Sequence, residues 1–350
     1  MVGSNLFQTS RFHPIFDTSL SHDFSYTRAY KVSIDFFEFT ASHLPPNAFL
    51  VCDPKIKRPT TDRPLLLMES AEDNKSWMGV EKIIQFLQQH QADRQSILIA
   101  MGGGSLLDLV GFAASIYMRG ITWWAVPTTL LSMVDASVGG KTAINVNDTK
   151  NLIGSFHPPR KTIIDLAFLD TLPPEHYASG MAEVIKMVWT SDAKAWEAET
   201  FYNRENIVPY AIDLKLKVIN NDWFESSVNK ERLILNAGHT FGHAFEKLHP
   251  HLSHGQAIAL GLMAEHDFAT YFTHSLHSTE QLRQVFNHIG LETDYKKYLT
   301  DVDKLIDLMV KDKKSQQEML QFIVAKAPGQ PYCLRCSVDD VRTFVSENIS

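Results

Sequence analysis

The run ILIAMGGGSLLD, residues 97–108, decides the fold of this 350-residue chain. An apolar β-rich stretch passes through three glycines directly into an apolar helical stretch. Glycines at such a junction let backbone N–H groups approach a phosphate at the positive end of the helix. The run lacks the GxGxxG spacing of the dinucleotide fingerprint. It therefore predicts a strand-to-helix turn that either cradles an anion or is simply a tight structural turn.

Outward from this turn, short β-rich runs alternate with amphipathic ones. One amphipathic run has a 3.6-residue apolar repeat that places five residues on one face: Trp77, Val80, Ile83, Ile84 and Leu87. Strand, helix, strand order predicts a parallel sheet covered by helices. The predicted strands are Ala48–Cys52, Leu65–Met68, Ser96–Ala100, Trp123–Val126 and Thr162–Asp165, and the predicted helices are Asn74–Gln91 and Leu106–Met118.

From Leu172 onward the pattern becomes helical, and Pro173-Pro174 can open the first helix. We predict an α/β fold with an N-terminal Rossmann-like parallel-sheet domain over 1–165 and a mostly α-helical C-terminal domain over 166–350. No low-complexity linker separates them, so the cleft between two packed halves is the expected ligand site. The further predicted elements are helices to Met187 and over Val208–Asn221, Arg232–Leu248, Gly255–Thr270 and Gln281–Ile289, and an isolated strand at Leu320–Ala325.

Composition excludes several classes of function. The chain has 33 Lys and Arg against 40 Asp and Glu, a net charge of −7 that offers no broad positive field to nucleic acid or to an anionic membrane. No uncharged apolar run reaches the roughly 18 residues that span a bilayer. The first residues lack a secretory pattern, and three cysteines cannot form a disulfide framework. We expect a cytoplasmic protein without nucleic-acid or membrane partners.

Cationic side chains cluster in the segment after the first glycine turn. Arg119, Lys141 and Lys150 lie among apolar residues with Asp135 as the nearby acid. Buried cations require partners, so the cluster predicts a phosphate or carboxylate ligand, with local ion pairs as the alternative. Gly139-Gly140-Lys141-Thr142 resembles the end of a P-loop, but the first glycine of that motif is missing, which excludes a nucleotide triphosphatase.

The second half carries candidate metal ligands. Glu183 and Lys186 share a helical face in apolar surroundings, and His239 and His243 lie four apart on another helix. His254 follows at the start of a third helical run. Two or three histidines with a glutamate are a ligand set that zinc prefers, but the spacing alone leaves open which histidines bind. A lone Cys333-Leu334-Arg335-Cys336 motif has no second pair and predicts little.

These motifs, in this order, resemble the 3-dehydroquinate synthase family, a branch of the sugar phosphate cyclases. The match covers roughly residues 65–325 through GGGSLLDLVGF, YMRG, VPTTLL, VDASVGGKTAIN, KNLIGSF, FLDTLP, GMAEVIK, NAGHTFGHAFE and HGQAIALGL. The resemblance implies a cytoplasmic homodimer that requires NAD⁺ and Zn²⁺ or Co²⁺. It implies a carbon–oxygen lyase of the shikimate pathway of aromatic amino acid biosynthesis. Such an enzyme converts 3-deoxy-D-arabino-heptulosonate 7-phosphate to 3-dehydroquinate and phosphate by transient oxidation, elimination, re-reduction, ring opening and aldol closure.

The resemblance also assigns residues by position. The metal ligands would be Glu183, His239 and His254. The NAD⁺ contacts would be Asp53, Glu72, Lys75, Gly103, Gly104, Asp108, Thr128, Thr129, Lys141, Lys150, Phe168 and Thr171. The reacting ring and its carboxylate would meet Asp135, Lys141, Asn151 and Lys186. The phosphate, in a pocket partly shared between subunits, would meet Arg119, Lys150, Asn236 and His243, and the remaining matching cations are Lys215, Arg232 and Lys313.

Two departures from the family pattern stand out. Trp223 follows Asp222 where the family has Asp-Glu, and Gln256 stands where it has His-Gly-Glu, which would change a group that orients the metal ligands. These departures leave room for a cyclase acting on another sugar phosphate. A metal-dependent polyol or glycerol phosphate dehydrogenase is a further alternative, but it would not need the YMRG and KNLIG cluster. A sensor without catalysis would be expected to lose a ligand or lysine that this chain retains.

Overall fold

The computed structural model describes residues 22–25, 31–147, 149–197, 204–220, 231–277, 279–312 and 319–349. Within these ranges no helix combines the length and the apolar character that crossing a membrane requires. The strands are β1 (His22–Ser25), β2 (Lys31–Phe36), β3 (Ala48–Cys52), β4 (Leu65–Leu67), β5 (Ile97–Gly102), β6 (Thr122–Pro127), β7 (Lys141–Val146), β8 (Thr149–Phe156), β9 (Lys161–Ile164), β10 (Met319–Ala325) and β11 (Pro331–Ser337).

The main sheet has the strand order β1-β2-β9-β6-β5-β3-β4. All of its neighbouring pairs are parallel except β1 with β2. Every residue of β3 is buried, as a parallel strand covered on both faces requires. The predicted strands of the first half are all present, so the predicted parallel sheet is confirmed. The terminal β1–β2 pair was not predicted.

Ten helices are described: α1 (Trp77–Gln89), α2 (Gly104–Ile116), α3 (Pro174–Ser191), α4 (Ala193–Glu197), α5 (Arg204–Asn220), α6 (His239–Leu248), α7 (His254–Thr273), α8 (Glu280–His288), α9 (Val302–Asp312) and α10 (Val338–Asn348). Pro174 occupies the first helical position of α3, as predicted. Val80, Ile83 and Leu87 of α1 are buried against one face of the sheet and Ile84 is partly buried. The placement of Trp77 on this buried face is wrong, because Trp77 is 49% exposed. The α/β and mostly helical parts confirm the predicted fold class.

The predicted helix over Arg232–Leu248 is wrong in one respect, because it is broken. A 3₁₀ helix spans Glu231–Asn236, and α6 begins only at His239. Gly238 between them has φ +75°, a left-handed conformation that interrupts the helical hydrogen-bond pattern. His239 therefore stands at the first position of a helix rather than in its interior.

Two β-hairpins were missed by the sequence analysis. β7 and β8 pair antiparallel, with an irregularity between Ile144 and Val146. The run at 320–325 is not isolated, because β10 pairs with β11 along its whole length. Every residue of β8 is exposed or half-exposed, including Leu152 and Phe156, so its sequence lacks the alternation that signals a strand with one buried face.

The two parts of the chain share a core. Leu130, Met133 and Val134, in the segment that follows β6, are fully buried among residues of α3, α5 and α7. Ser132–Ala136 in that segment forms a π-helical turn. This packing holds the loop after β6 against the helical part, where the candidate site lies.

Candidate active site

Three potential metal ligands converge from three helices. Glu183 lies in the middle of α3, while His239 and His254 are the first residues of α6 and α7. One ligand atom from each falls within 4.8 Å of the other two. The Nε2 atoms of His239 and His254 lie 3.6 and 3.3 Å from Oε1 of Glu183. The sequence left open which histidines group with Glu183, and the geometry selects these two.

Both histidine rings are oriented by an acceptor at Nδ1. Nδ1 of His239 lies 3.0 Å from the carbonyl oxygen of Ala237, and Nδ1 of His254 lies 3.3 Å from Oε2 of Glu246. This arrangement directs both Nε2 atoms toward Glu183. Oε1 of Glu183 is buried without a hydrogen-bond partner in the described part of the chain. A divalent metal would satisfy that oxygen, and this donor set suits zinc or a related ion.

The pKa shifts agree with this geometry. Burial would raise the pKa of Glu183, but Lys186 and the two histidines hold it well below its usual value. Burial and Lys186 hold the pKa of His239 well below 6.5, so its Nε2 lone pair is available to a metal. Burial lowers the pKa of His254, but Glu183 and Glu246 outweigh it and raise that pKa to about 10. A metal would displace this proton on binding.

A close helix contact brings His254 to Glu183. A Cβ atom on Gly255 would lie 2.2 Å from the carbonyl oxygen of Ser179, so only glycine allows this approach. The N–H of Gly255 donates to Oγ of Ser179 at 3.0 Å. Ser179 lies one helical turn before Glu183 on α3. The contact therefore places the start of α7 beside the carboxylate.

The metal cluster opens onto a cavity of about 520 Å³. Residues of both the α/β part and the helical part of the chain line this cavity. The residues that line it are Asp108, Asp135, Ala136, Val138, Lys141, Thr142, Ala143, Asn151, Gly154, Ser155, Phe156, Glu183, Lys186, Lys215, Arg232, Leu235, Asn236 and His239.

Four cations and three carboxylates line this cavity. Nζ of Lys186 contacts Glu183 and donates to the carbonyl oxygen of Leu235 at 2.7 Å. Nζ of Lys215 contacts the carboxylate of Asp135 and donates to its backbone oxygen at 2.6 Å. Burial lowers the pKa of Lys215, and Asp135 opposes that shift. A bound metal would add further positive charge, so the cavity suits an anionic ligand.

The glycine turn after β5 is organised by two polar side chains. Oγ of Ser70 accepts the N–H of Gly103 at 2.9 Å, and Asp53 accepts the N–H of Ser70 at 2.8 Å. Nearby, Nζ of the buried Lys75 lies 2.6 Å from the carboxylate of Asp108. Burial raises the pKa of Asp108, and Lys75 opposes that shift. The turn is thus part of a polar surface that continues into the cavity.

The expected site residues fall into four groups by position. Those that line the cavity are Asp108, Asp135, Lys141, Asn151, Glu183, Lys186, Lys215, Arg232, Asn236 and His239. Contacts to this set are made by His243, His254 and Lys75, and Lys150 is joined to His254 through Glu246. Those that do not line it are Asp53, Glu72, Gly103, Gly104, Arg119, Thr128, Thr129, Phe168 and Thr171. Lys313 and the departure at Trp223 lie outside the described residues.

Gln256, the departure from the family pattern beside His254, is bonded to another segment of the chain. Its side-chain amide exchanges two hydrogen bonds with the backbone of Glu292, at 2.8 and 2.9 Å, rather than orienting a metal ligand. Glu246 orients the ring of His254 instead and also binds Lys150 at 2.6 Å. Glu246 follows His243 by three residues on the same helix, so its shared face was a signal that could have identified it.

Two other polar residues at this site were also missed. Asn145 donates to Glu72 at 2.8 Å and accepts the N–H of Asn151 at 2.9 Å, joining the hairpin to the segment before α1. Ser70 has the role at Gly103 described above. Neither residue belongs to a type or spacing that sequence alone marks as functional.

The cysteine motif has no redox geometry. Cys333 and Cys336 lie three apart on β11, so their side chains point to opposite faces. Cys333 is exposed, whereas Cys336 is buried and burial raises its pKa to about 12. The two cysteines of the motif are therefore not placed to form a disulfide or to bind one metal together.

Comparison with known proteins shows which family this chain is similar to. The family profiles described as 3-dehydroquinate synthase N-terminal and C-terminal match residues 65–179 and 180–315. The 3-dehydroquinate synthase of Helicobacter pylori strain P12 is 39% identical over 270 residues, covering 75% of this chain and 77% of the relative. That of Campylobacter hominis is 34% identical over 321 residues, covering 86% and 91%.

A solved structure shares the fold at lower identity. It is 2-deoxy-scyllo-inosose synthase complexed with carbaglucose-6-phosphate, NAD⁺ and Co²⁺. It has a TM-score of 0.79 and 22% identity and covers 94% of this chain and 100% of its own. The two matching profiles together span most of the chain, and the named relatives exceed 30% identity. The chain belongs to the 3-dehydroquinate synthase family.

Proposed function

We propose that this protein is a 3-dehydroquinate synthase, a carbon–oxygen lyase that converts 3-deoxy-D-arabino-heptulosonate 7-phosphate to 3-dehydroquinate and phosphate. The observation that carries the proposal is one cavity that joins a metal cluster to a set of anion-binding cations. A substrate with a carboxylate and a phosphate needs cations at both ends. Family membership supports the same reaction.

NAD⁺ and one Zn²⁺ or Co²⁺ are the proposed cofactors. Bound NAD⁺ would supply reversible hydride transfer, and the metal would polarise the substrate alcohol. Glu183, His239 and His254 would hold the metal, and Oε1 of Glu183, which is buried and accepts no hydrogen bond within the described residues, supports this assignment. The proposed NAD⁺ contacts are Asp53, Glu72, Lys75, Gly103, Gly104, Asp108, Thr128, Thr129, Lys141, Lys150, Phe168 and Thr171.

The cations of the cavity would bind and orient the substrate. Lys141 and Lys186 would face the ring and its carboxylate together with Asp135 and Asn151. These contacts would hold the reacting atoms in register and stabilise developing negative charge. The proposed phosphate contacts are Lys150, Asn236 and His243 with Arg119, and Lys215, Arg232 and Lys313 are the further proposed cations. His243 lies beside the metal ligands without joining them, which suits a phosphate or proton-transfer role.

We further propose a homodimer in which Arg119 reaches the phosphate pocket of a second copy. Arg119 does not line the cavity of its own chain, which supports a role across an interface. Mixed subunits test this assignment. Inactive Arg119→Ala and Lys186→Ala proteins are expected to regain activity when their subunits exchange, because a heterodimer then carries one intact site. Mixtures that stay inactive although mass spectrometry shows exchange would contradict it.

The proposal also includes an NAD-binding domain over 1–165, a metal- and substrate-binding domain over 166–350, and a cytoplasmic location. The division is supported by the placement of the glycine turn and of the metal cluster on different parts of the chain.

One assay tests the function. Purified protein is incubated with the heptulosonate phosphate, catalytic NAD⁺ and Zn²⁺ or Co²⁺, with and without chelator, while phosphate, dehydroquinate and NADH absorbance are followed. Equal, chelator-sensitive amounts of phosphate and dehydroquinate without accumulating NADH are expected. A heptulose 7-phosphate that lacks the carboxylate serves as the control substrate. Turnover of the control alone would indicate another sugar phosphate cyclase, and NADH in proportion to substrate would indicate a dehydrogenase.

A further inference from the structure

The first turn of α6 has no side-chain cap of its own. Gly238 occupies the N-cap position and provides no side chain, although this turn carries His239. The backbone N–H groups of Gly238, Thr240 and Phe241 all donate to the carboxylate of Glu265, at 2.8, 3.0 and 3.4 Å. Glu265 lies on α7 and has 0% exposure. A buried carboxylate from one helix therefore caps another.

Close packing of the two helices brings Glu265 to this position. A Cβ atom on Gly261 of α7 would lie 2.0 Å from the carbonyl oxygen of Gly238, so the backbones are in direct contact there. Glu265 follows Gly261 by four residues and therefore lies one turn along the same face. That face lies directly beneath the N–H groups of the first turn of α6.

The histidine-bearing helices differ in how they begin. Ser253 caps α7 locally, because its side chain accepts the N–H of Gln256 at 3.2 Å. A local cap of this kind is closed to α6, since Gly238 has φ +75°, a conformation that Ser, Thr and Asp rarely adopt. Glu265 belongs to the same helix as His254. Through it, the start of α6 is tied to the helix that presents the other histidine ligand.

The charge of Glu265 matters as well as its position. A buried carboxylate is unfavourable unless it is fully hydrogen-bonded, and three N–H groups at the positive end of a helix meet that requirement. The cap holds the turn in which Nδ1 of His239 meets the carbonyl oxygen of Ala237. That contact directs Nε2 of His239 toward Glu183.

We propose that Glu265 is a positioning residue of the metal centre, which fixes the first turn of α6 and so aims Nε2 of His239 at the metal before the metal arrives. The inference rests on the proposed metal site. It adds a residue that touches neither metal nor substrate. Its effect passes through the backbone of residues 238–241 to one ligand.

The test compares two carboxylate-to-amide variants at helix starts. Glu265→Gln keeps the size of the side chain but turns one acceptor into a donor that faces an N–H group. Asp340→Asn changes the capping box of α10 in the same way, away from the metal ligands. Metal affinity is measured by competition of Zn²⁺ with a chromophoric chelator, and ligand geometry by the visible absorption of the Co²⁺ protein. Circular dichroism confirms folding of both variants.

Glu265→Gln is expected to weaken Zn²⁺ binding roughly 10- to 100-fold, the usual effect of losing a group that orients a ligand, and to alter the Co²⁺ spectrum. Asp340→Asn is expected to keep both at wild-type values. Wild-type affinity and spectrum in Glu265→Gln would overturn the inference while leaving the proposed function intact. An equal loss in both variants would also overturn it. Wild-type protein that binds no metal would overturn the metal site and the inference together.

A second measurement covers the case in which Glu265→Gln does not fold. Amide hydrogen exchange of residues 238–241 is followed in wild-type protein, first metal-free and then with Zn²⁺. Slow exchange in the metal-free protein is expected, because Glu265 already holds these N–H groups. Unprotected exchange that becomes slow only with Zn²⁺ would show that the metal, not Glu265, orders the turn.

Discussion

The proposed metal centre and the β7–β8 hairpin both line one cavity but hold their side chains in different ways. The metal ligands sit on helices whose backbones touch, and Glu183 is almost fully buried. The hairpin residues from 149 to 156 are exposed or half-exposed. Asn151 has a left-handed backbone, φ +55°, and is held by Lys75 and Asn145. The ligand-bearing helices are fixed by the packing of their backbones. In the hairpin, β7 packs through the buried Ile144, whereas the exposed strand β8 is held at Asn151 by side-chain hydrogen bonds.

This difference separates two tasks. Metal binding requires donor atoms at fixed distances, which close-packed helices maintain because any displacement disturbs a core. The exposed strand β8, where side-chain hydrogen bonds hold Asn151, can adjust at smaller cost, since such bonds contribute only about 0.5–1.5 kcal/mol each. We therefore expect changes in the helical region to affect metal binding and stability, and changes in the hairpin to affect substrate and NAD⁺ binding.

The largest expected effect is loss of the metal ligand His239. His239→Ala removes one of three proposed protein ligands. Zn²⁺ affinity should therefore fall by more than the roughly 100-fold loss that follows removal of a residue that only orients a ligand. Turnover should disappear as well. Metal content after dialysis and the phosphate-release assay measure both. His239→Ala protein that keeps stoichiometric metal would refute the ligand assignment.

His243 provides the matched control for that change. Its ring lies 5.0 Å from that of His239 on the same helix, but it is not in the ligand group. His243→Ala should therefore keep one metal per chain while losing turnover. If both variants lose metal equally, His243 is also required for metal binding, and its exclusion from the ligand group is wrong.

The next effect concerns the helix contact that places His254. Gly255→Ala forces a Cβ atom against the backbone of Ser179, so α7 must move away from α3. We expect a loss of about 3 kcal/mol in unfolding free energy, at the upper end for overpacking, together with weaker metal binding. Urea unfolding and Zn²⁺ competition measure the two effects.

Gly290→Ala is the control for the glycine change. Gly290 has a positive φ, +83°, which Gly255 does not, and open space surrounds its Cβ position. Only the backbone penalty of about 1–2 kcal/mol is expected, with metal affinity unchanged. A Gly255→Ala protein that resembles Gly290→Ala in both measurements would show that the contact with Ser179 does not position the ligand.

The third expected effect is on stability and arises from His266, a buried polar residue of the helical region that is not a proposed metal ligand. Burial lowers the pKa of His266 from 6.5 to about 4, and its Nε2 already accepts N–H groups from Trp189 and Ala325. Because the unfolded chain binds the proton more tightly, this contribution is present above about pH 6.5 and is lost as pH falls toward 4.

Between pH 7.5 and 5.0 the expected loss from His266 is about 2 kcal/mol, from a shift of about 2.5 pKa units at 1.36 kcal/mol each, only part of which falls in that interval. The free energy of unfolding in urea is measured for wild type and His266→Gln at both pH values, without metal. The loss between the two pH values should be about 2 kcal/mol larger in wild type than in His266→Gln. Equal pH dependence in the two proteins would disprove it.

The smallest effect should arise in the hairpin. Asn145→Ala removes the side-chain bonds to Glu72 and to the N–H of Asn151. We expect KM for the heptulosonate phosphate and Kd for NAD⁺ to rise about tenfold, equivalent to one or two hydrogen bonds. Zn²⁺ affinity should not change. A fall in metal affinity instead would show that the two regions are mechanically coupled.

Much of the fold followed from local pattern. The buried strands and amphipathic α1 matched their predicted ranges within a few residues, because apolar periodicity reports burial directly. The β7–β8 hairpin escaped prediction because β8 is exposed or half-exposed along its whole length, so its apolar residues do not mark a buried face. The break at Gly238 escaped because apolar periodicity continues across it on both sides.

The candidate site divides in the same way. Glu183, His239 and His254 could be nominated from residue type and helical spacing, and their family positions agree with the cluster that the fold assembles. Glu265 and Asn145 could not, since their roles depend on which backbone N–H groups lie opposite them. Nearness in sequence can also mislead. Gln256 lies two residues after His254, but its side chain bonds to the backbone of Glu292 instead.

The sequence by itself determined the fold class, the family and the residue types available for metal and anion binding, because these depend on local periodicity and on motifs contiguous in the chain. Only the tertiary structure decided which two histidines lie beside Glu183, which acceptor orients each histidine ring and which cations line the same cavity. Those relations join residues as far apart as Lys75 and Asn151, or Glu183 and His254. Distances of a few ångströms between remote segments are set by helix packing, and no local pattern encodes them.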